Sequence, residues 1–454
     1  MAPAAFSKVY VRWTQNNMPA PKVLGVTDLV IPWSEVAQGL VAAAKKRGYH
    51  VYLEANLAQS ATVAEAAAGA RVAGIVLKGS GAEETQLQQT AGELGSKYPK
   101  LKFFVLSDHG KQPEMRGWLV FKKDGILQVS SPTSQPWLDQ NLAMVRYERA
   151  FEPAQVPLYT FSWDLTDPLV KQNGPSPSDY SLAVAEAGAF HADLMLELHP
   201  QQQKGLAEGD SHALADWELV KRTIAFYQWP DNGKDAAAVG IITDDYDTSY
   251  EEINLMARHN IPFRVLYSES VKPQDLENFS VVIAFAALGK ELREGMQSFA
   301  EQGGVAVLVN LPGTYPWDSP AAAKKNEHSV TYTVGKGRVI ELGEPINDPE
   351  TFAQDIRRLM SKDRVPVSLW NSLTTLVAEY SGEKPGEAIV ELVNYDQEPI
   401  QVQVQVKGKF SSIKYDSPQQ ACCQELKPAY VDGFTQFVVP NLLIGARVHL
   451  AEAK

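Results

Sequence analysis

Short apolar segments alternate with longer amphipathic ones along residues 1–232, and this alternation constrains the fold more than any other feature. Segments such as 72–79 (VAGIVLKG) and 101–108 (LKFFVLSD) are rich in β-branched and aromatic residues. Strands of this kind are covered on both faces, as in a parallel sheet flanked by helices. Repeated strand–helix units favour a barrel over an open sheet. We therefore predict an α/β, TIM-like (β/α) barrel, which is irregular because eight clean units are not found.

Helix-end signals agree with this prediction. The predicted helix 34–48 ends at Gly48, a residue type common at helix C-termini. The predicted helix 134–151 begins at Ser134, which can cap it, with Pro136 in the first turn. The predicted strands of this part are 8–13, 50–56, 72–79, 101–108, 117–122, 156–164 and 192–200.

Residues 233–365 repeat the strand–helix rhythm on a smaller scale. They follow the linker 228–235 (QWPDNGKD), whose Pro and Gly indicate a boundary. The segment 335–345 (GKGRVIELGEP) predicts a closing strand entered through a tight turn. We expect a smaller, flavodoxin-like α/β domain here.

Polarity alternates with period two from residue 366 onward. Val402, Val404 and Val406 are predicted to face one way, and the intervening glutamines the other. Short strands separated by turn signals indicate an antiparallel β-sandwich over residues 366–454.

The charge and hydropathy of the chain limit the classes of partner it can bind. The chain carries 54 acidic and 42 basic residues, a formal net charge of −12, so nucleic acid and anionic membranes are poor partners. No apolar run reaches the roughly 18 residues of a membrane span, so we expect no membrane insertion. The N-terminus lacks a charged region followed by an apolar one, which leaves open export with a removed signal peptide or a cytoplasmic location.

Cysteine usage and motifs argue against metal and cofactor chemistry. The two cysteines, Cys422 and Cys423, are adjacent, which excludes a CxxC site, and we expect two apolar thiols. No HExxH motif, P-loop or complete GxGxxG motif occurs. We therefore expect no cofactor and no metal.

The predicted strand ends carry polar and aromatic residues where a barrel places its active site. Tryptophan can stack on a pyranose ring, and carboxylates can bind hydroxyls or act as acid and base, so these residues predict a sugar cleft. Glycoside hydrolysis needs two carboxyl groups, one protonated and one ionised. We assign catalysis to Asp164 and Glu197, with Asp108 as the next candidate. The predicted substrate-binding residues are Trp163, Glu54, Asn56, His109, His199, Trp13 and Lys78.

Structural roles are open alternatives for most of these residues. Asp164 could cap a following turn, and Asp108 with His109 could form one. Glu54 could pair with Lys78 from the next strand. His199, before Pro200, could be a loop residue, whereas a carboxylate on a buried strand, such as Glu197, needs a partner or a function.

Barrel, small α/β domain and β-sandwich follow in an order that resembles glycoside hydrolases of the family 42 β-galactosidase type. The stretches GKGRVIEL (335–342) and VELVNYDQEPIQVQVQVKG (390–408) are the most specific parts of the resemblance. It implies a carbohydrate ligand, and a middle domain of the class I glutamine amidotransferase type that helps subunits associate into a homo-oligomer. That family carries an Asn-Glu acid/base pair after strand four. The only such pair here, Asn326-Glu327, lies outside the barrel, so no catalytic residue is carried over.

The middle domain does not have the residues of an active amidotransferase. Phe285, Ala286 and Ala287 stand where the nucleophilic cysteine would be. The sequence therefore favours an Asp/Glu-dependent glycoside hydrolase. A non-catalytic carbohydrate-binding protein and an assembly subunit with a degenerate barrel are the alternatives.

Overall fold

A computed structural model describes most of the chain. The described residues are 8–34, 37–107, 122–123, 126–127, 140–153, 155–161, 174–228, 234–246, 248–319, 323–396, 398–420 and 422–452. Asp108, His109, Trp163 and Asp164 lie outside them.

The first sheet contains seven parallel strands and is curved into a nearly closed barrel. The elements of this part are, in chain order, β1 (Val9–Arg12), α1 (Pro21–Leu24), β2 (Asp28–Pro32), α2 (Ala37–Lys46), β3 (His50–Ala55), α3 (Ser60–Ala70), β4 (Gly74–Gly79), α4 (Glu84–Lys97), β5 (Lys102–Ser107), the small pair β6 (Lys122–Lys123) and β7 (Ile126–Leu127), α5 (Leu142–Phe151), β8 (Leu158–Phe161), α6 (Pro177–Ala189), β9 (Asp193–Glu197), α7 (Pro200–Glu208) and α8 (Ser211–Tyr227).

The strand order is β5-β4-β3-β2-β1-β9-β8, so β5 and β8 border the opening of the barrel. The predicted irregular barrel is confirmed. Gly48 follows α2 with a φ of 93°, a left-handed conformation that glycine adopts without a Cβ clash.

Alternate residues of each strand face the barrel interior. Tyr10, Tyr52, Val76 and Met195 belong to one small cluster inside the barrel, and the rings of Tyr10 and Tyr52 meet edge to face at 5.2 Å. Their sequence neighbours face the helices and join the main hydrophobic core. The period of two in each strand therefore fills both faces of the sheet.

The second sheet has the order β11-β10-β12-β13-β16-β15-β14. Its elements are β10 (Val239–Thr243), α9 (Tyr250–Arg258), β11 (Phe263–Tyr267), β12 (Val281–Ala284), α10 (Lys290–Glu301), β13 (Val305–Val309), β14 (Ala323–Lys325), β15 (Ser329–Val334), β16 (Gly337–Leu342) and α11 (Pro349–Leu359). The first five strands in this order pair in parallel, as in flavodoxin-like sheets. The closing strand predicted within 335–345 is present as β16, and β14 and β15 add an antiparallel edge.

The C-terminal part is a sandwich of a four-stranded sheet, β17-β20-β24-β23, and a five-stranded sheet, β18-β19-β25-β21-β22. The strands are β17 (Val367–Trp370), β18 (Thr375–Ser381), β19 (Glu387–Asn394), β20 (Ile400–Lys407), β21 (Phe410–Asp416), β22 (Gln424–Glu425), β23 (Ala429–Val431), β24 (Phe434–Leu442) and β25 (Gly445–Glu452). Val402, Val404 and Val406 are fully buried between the sheets, as predicted.

The expectation of two apolar thiols is wrong. Cys422 and Cys423 are exposed in the turn between β21 and β22, and a disulfide joins them. Their environment is therefore solvent, not an apolar core.

The three sheets pack against one another through specific elements. The five-stranded sheet contacts α6 through β19 and β25, and the second sheet contacts α5 through β11. In the described part of the chain, no helix is long and apolar enough to cross a membrane. The exact boundaries at residues 232/233 and 365/366 stay predictions.

Candidate functional site

Four charged side chains lie at the C-terminal end of the barrel, and we call them the charged cluster: Arg12, Glu54, Lys78 and Glu197. Each stands two residues beyond an inward-facing residue of the interior cluster, namely Tyr10, Tyr52, Val76 and Met195. Because side chains alternate along a strand, this spacing directs all four into the same end of the barrel. The end where parallel strands finish is where barrel enzymes place their active sites.

Arg12 makes the tightest contact of the cluster. Its Nε donates to Glu54 Oε2 at 2.6 Å, and its second terminal nitrogen donates to Glu54 Oε1 at 2.9 Å. The paired geometry fits the fork of a guanidinium to both oxygens of one carboxylate. This hydrogen bond raises the pKa of Arg12, and burial acts in the opposite direction. Glu54 is therefore held in place by a fixed cation.

Glu197 occupies the centre of the cluster. Its Oε1 lies 3.6 Å from Lys78 Nζ and 4.0 Å from Arg12 Nε. The Glu197 side chain is 18% exposed, whereas Lys78 is 37% exposed, so both can be reached by a ligand. Two cations and two carboxylates balance in charge. The cluster offers donors and acceptors for hydroxyl groups without a net charge.

The pairing differs from the alternative weighed from the sequence. Glu54 pairs with Arg12 rather than with Lys78, and Lys78 lies next to Glu197 instead. Arg12 was not among the predicted site residues. Its position two residues after Tyr10 in an alternating strand was the available signal.

The other described candidates lie apart from the cluster. Trp13 is fully buried on the face of β1 that packs against the helices, and its indole N–H donates to the carbonyl oxygens of Gln15 and Asn17. Asn56 is exposed and caps a 3₁₀ turn by accepting from the Gln59 amide at 3.0 Å. His199 is buried at the N-terminus of α7, where its Nδ1 accepts from the Gln201 amide.

The fourth strand, β4, ends on Lys78 and Gly79. Ser80 follows, and both its backbone N–H and its hydroxyl donate to Glu83 Oε2 at 2.9 Å. These hydrogen bonds lower the pKa of the exposed Glu83 carboxyl. Lys78 is therefore the charged side chain that β4 contributes to the cluster.

A second polar layer closes the N-terminal end of the barrel. Asp193 Oδ1 accepts from the Lys8 amide at 2.7 Å, and Asp28 Oδ2 accepts from the Thr27 hydroxyl at 2.7 Å. Burial raises the pKa of Asp193 to about 7. This layer lies on the side of the barrel opposite to the charged cluster.

Solved structures with the same overall fold are glycoside hydrolases. An α-L-fucosidase isoenzyme 2 from Paenibacillus thiaminolyticus superposes with a TM-score of 0.62 and 12% identity, covering 99% of this chain and 100% of that one. A β-galactosidase from Bacillus circulans sp. alkalophilus superposes with a TM-score of 0.50 and 10% identity, covering 99% of both chains. At these identities the likeness shows the fold alone. No protein-family model and no curated protein sequence matches the chain.

The chain thus shares its fold with these solved glycoside hydrolases: a parallel barrel, an α/β domain and a β-sandwich. The predicted resemblance is confirmed at this level.

Proposed function

We propose that the chain is a glycoside hydrolase whose barrel binds a carbohydrate at the charged cluster. The observation that supports this most is the position of Glu197. It is a partly exposed carboxylate at the C-terminal end of a glycosidase-type barrel, with Lys78 at 3.6 Å. Two observations support a carbohydrate as the ligand: the fold shared with solved glycoside hydrolases and the balanced charge of the cluster.

In the proposed mechanism, Glu197 is the ionised carboxylate and Asp164 the protonated one. Asp164 gives its proton to the glycosidic oxygen as the bond to the anomeric carbon breaks. Glu197 acts on the anomeric carbon directly or through a water molecule. In the direct route Glu197 bonds to the anomeric carbon, and water then breaks that bond, giving its hydroxyl to the sugar and its proton to Asp164. In the water-mediated route the hydroxyl goes to the sugar and the proton to Glu197, so both routes are a net hydrolysis. Arg12 and Glu54 form a fixed wall that hydrogen-bonds the sugar hydroxyls.

A non-catalytic carbohydrate-binding protein is the second candidate. Both carboxylates of the cluster lie next to cations, and β4 ends on Lys78 rather than on an acid. An acid paired in this way is suited to holding a ligand. The remaining functional question is therefore whether Asp164 supplies a competent acid.

The deciding experiment compares wild type with Asp164→Asn and Glu197→Gln on a panel of aryl glycosides and oligosaccharides. We expect both variants to lose hydrolysis by roughly 10³-fold, because each removes one member of the acid–base pair. Binding of the substrate, measured by calorimetry, should survive. Glu65→Gln, which alters an exposed glutamate on α3, is the matched control.

Each alternative outcome has a defined meaning. Hydrolysis that persists in both variants would disprove the assigned pair. Binding without hydrolysis in wild type would establish the second candidate. If all variants melt like wild type and neither binding nor hydrolysis occurs, a role in subunit assembly becomes the favoured hypothesis.

We also propose that the middle domain, residues 233–365, joins subunits in a homo-oligomer. Sedimentation velocity of the full chain tests whether such an oligomer forms.

A further inference from the structure

The outer face of the four-stranded sandwich sheet carries an unusual set of side chains. Trp370 of β17, Gln403 of β20 and Val438 of β24 are paired across the strands in one row. Gln405 and Gln436 are paired in the next row. Together with Gln401 these residues form what we call the glutamine face: Trp370, Gln401, Gln403, Gln405, Gln436 and Val438.

The glutamine face is partly open to solvent, since Trp370, Gln401 and Val438 are exposed whereas Gln403, Gln405 and Gln436 are half-buried. Trp370 is 53% exposed and Val438 is 40% exposed. The opposite sheet of the sandwich packs towards the barrel, since β19 and β25 contact α6. The glutamine face therefore points away from that contact.

Its chemistry suits a neutral, hydroxyl-rich ligand. None of the six side chains is charged, although charged residues make up 21% of the whole chain. Lys407, at the end of β20, is the next residue in that strand with the same orientation. Each glutamine amide offers both donors and an acceptor, and a hydroxyl group requires the same two functions. Trp370 supplies an apolar aromatic surface that also has a polar end.

Two of the four amides are held by each other before any ligand arrives. Gln436 Nε2 donates to Gln405 Oε1 at 3.2 Å across the two strands. Ordering side chains in advance lowers the entropy lost on binding. The sheet itself fixes Trp370 directly beside Gln403.

The size of the face argues against a second copy of the chain as its occupant. The six residues lie on three strands about 4.8 Å apart, and the longest run, residues 401–405 of β20, extends about 3.4 Å per residue, so the face spans roughly 14 by 17 Å. This is about 240 Å², whereas a stable protein interface needs about 800 Å² from each partner. A segment of a few sugar rings needs no larger surface.

We infer that the glutamine face is a second carbohydrate site, which binds a neutral glycan by stacking on Trp370 and by hydrogen bonds to Gln403, Gln405 and Gln436. It is separate from the charged cluster and needs no catalysis. Its role would be to hold a polymeric glycan near the protein.

Affinity electrophoresis of the full chain tests this inference. The gels contain soluble galactan, galactomannan or xyloglucan as neutral probes, with polygalacturonate as a charged comparison. We expect at least one neutral polymer to retard wild type. Trp370→Ala and Gln403→Ala should weaken that retardation about tenfold or more, as expected for an aromatic residue that anchors a ligand and for its neighbour. Trp370→Phe should restore part of it.

Two control variants distinguish binding at the glutamine face from binding elsewhere on the protein. Tyr250→Ala removes an aromatic residue of the middle domain with 45% exposure and should leave retardation unchanged. Glu65→Gln, which alters an exposed glutamate on α3 of the barrel, should also leave it unchanged.

Three results would overturn the inference. The first is retardation that Glu197→Gln abolishes and Trp370→Ala does not, which would locate glycan binding in the barrel. The second is no retardation by any neutral polymer. The third is a concentration-dependent dimer of wild type that Trp370→Ala abolishes, because a second copy would then be the occupant.

Discussion

Asp193 is a buried acid at the N-terminal end of the barrel, and its environment opposes ionisation. It is 6% exposed, and burial raises its pKa from 3.8 to about 7. The backbone N–H of Lys8 and the Tyr10 hydroxyl donate to it and act in the opposite direction. Asp28 faces the same layer and raises the pKa further. The folded barrel therefore favours the protonated form of Asp193.

This environment predicts a pH dependence of stability. The pKa of Asp193 is higher in the folded state than in the unfolded state. Its contribution to the stability of the folded state is therefore fully present below about pH 4 and is lost as pH rises through about 7. The difference of about three pKa units corresponds to at most roughly 4 kcal/mol. Asp193→Asn cannot ionise, so the difference in melting temperature between variant and wild type should grow in favour of the variant from pH 4 to pH 8.

The comparison between variants isolates Asp193 from other acids. Burial also raises the pKa of Glu379 to about 7, and that contribution is present in both proteins. A difference between the two melting curves that does not change with pH would contradict the assignment.

Helices α6 and α8 pack closely because a glycine lies at their contact. A Cβ on Gly188 of α6 would meet ring and Cβ atoms of Tyr227 on α8 at 2.3–2.5 Å. Tyr227 is 4% exposed, so its ring has little room to move. The glycine is needed here for close approach of two helices.

Gly188→Ala should therefore destabilise the protein, by about 1–3 kcal/mol as for other overpacked sites. Glycine to alanine inside a helix otherwise stabilises by about 0.5–1 kcal/mol. Gly92 of α4 provides the matched case, since nothing lies within 4 Å of a Cβ added there. Urea unfolding should show opposite signs for Gly188→Ala and Gly92→Ala. If both variants changed the free energy of unfolding in the same direction, α8 would have moved to accommodate the added methyl group.

Elements with a strong local pattern were predictable from the sequence. The alternation in β20 assigned Val402 and Gln403 to opposite faces, and the strand and its burial agree. The edge strands β14 and β15 were not predicted. β14 reads AKK and is too short and polar to give a strand signal, whereas β15 reads SVTYTV and does alternate, with Val330, Tyr332 and Val334 at every second position. The signal for β15 was therefore present in the sequence, and only β14 lacked one.

At the scale of the whole molecule, Glu186 connects the barrel to the sandwich. It lies on α6 and is 1% exposed. Its carboxylate accepts from Asn141 Nδ2 at 2.6 Å, from the Tyr159 hydroxyl at 2.9 Å and from the Tyr395 hydroxyl of the sandwich. Burial raises the pKa of Glu186, and these hydrogen bonds act against the rise. One carboxylate thus satisfies donors from several parts of the chain.

We expect Tyr395→Phe to lower the free energy of unfolding by about 1.5–3 kcal/mol, since it removes a hydrogen bond to a buried acid. In a double-mutant cycle with Glu186→Gln, the two losses should be less than additive by about 1 kcal/mol or more. Tyr49→Phe is the control, because the Tyr49 hydroxyl donates to the Pro19 carbonyl within the barrel. Additive effects of Glu186→Gln and Tyr395→Phe would mean that the contact does not couple the two parts.

The strand-end positions of three residues of the charged cluster could be predicted from the sequence, but their pairing could not, and their role as a site stays a prediction. Glu54, Lys78 and Glu197 could be found because each ends an apolar strand. That Arg12 holds Glu54 could not, because β2 separates their strands in the sheet and strand order is not encoded locally. Asp108, His109, Trp163 and Asp164 stay predictions.

The contact between Glu186 and Tyr395 also limits how the polypeptide can be divided. Three sequence patterns suggest three interchangeable domains. A fragment that stops before residue 366 would lack Tyr395, however, and the buried Glu186 carboxylate would lose that hydrogen-bond donor. Tyr380, whose hydroxyl donates to the Ala189 carbonyl, would be missing from the same surface. Domain swaps and truncations at that junction should therefore yield insoluble product, and the sandwich behaves as an obligatory scaffold rather than as an accessory.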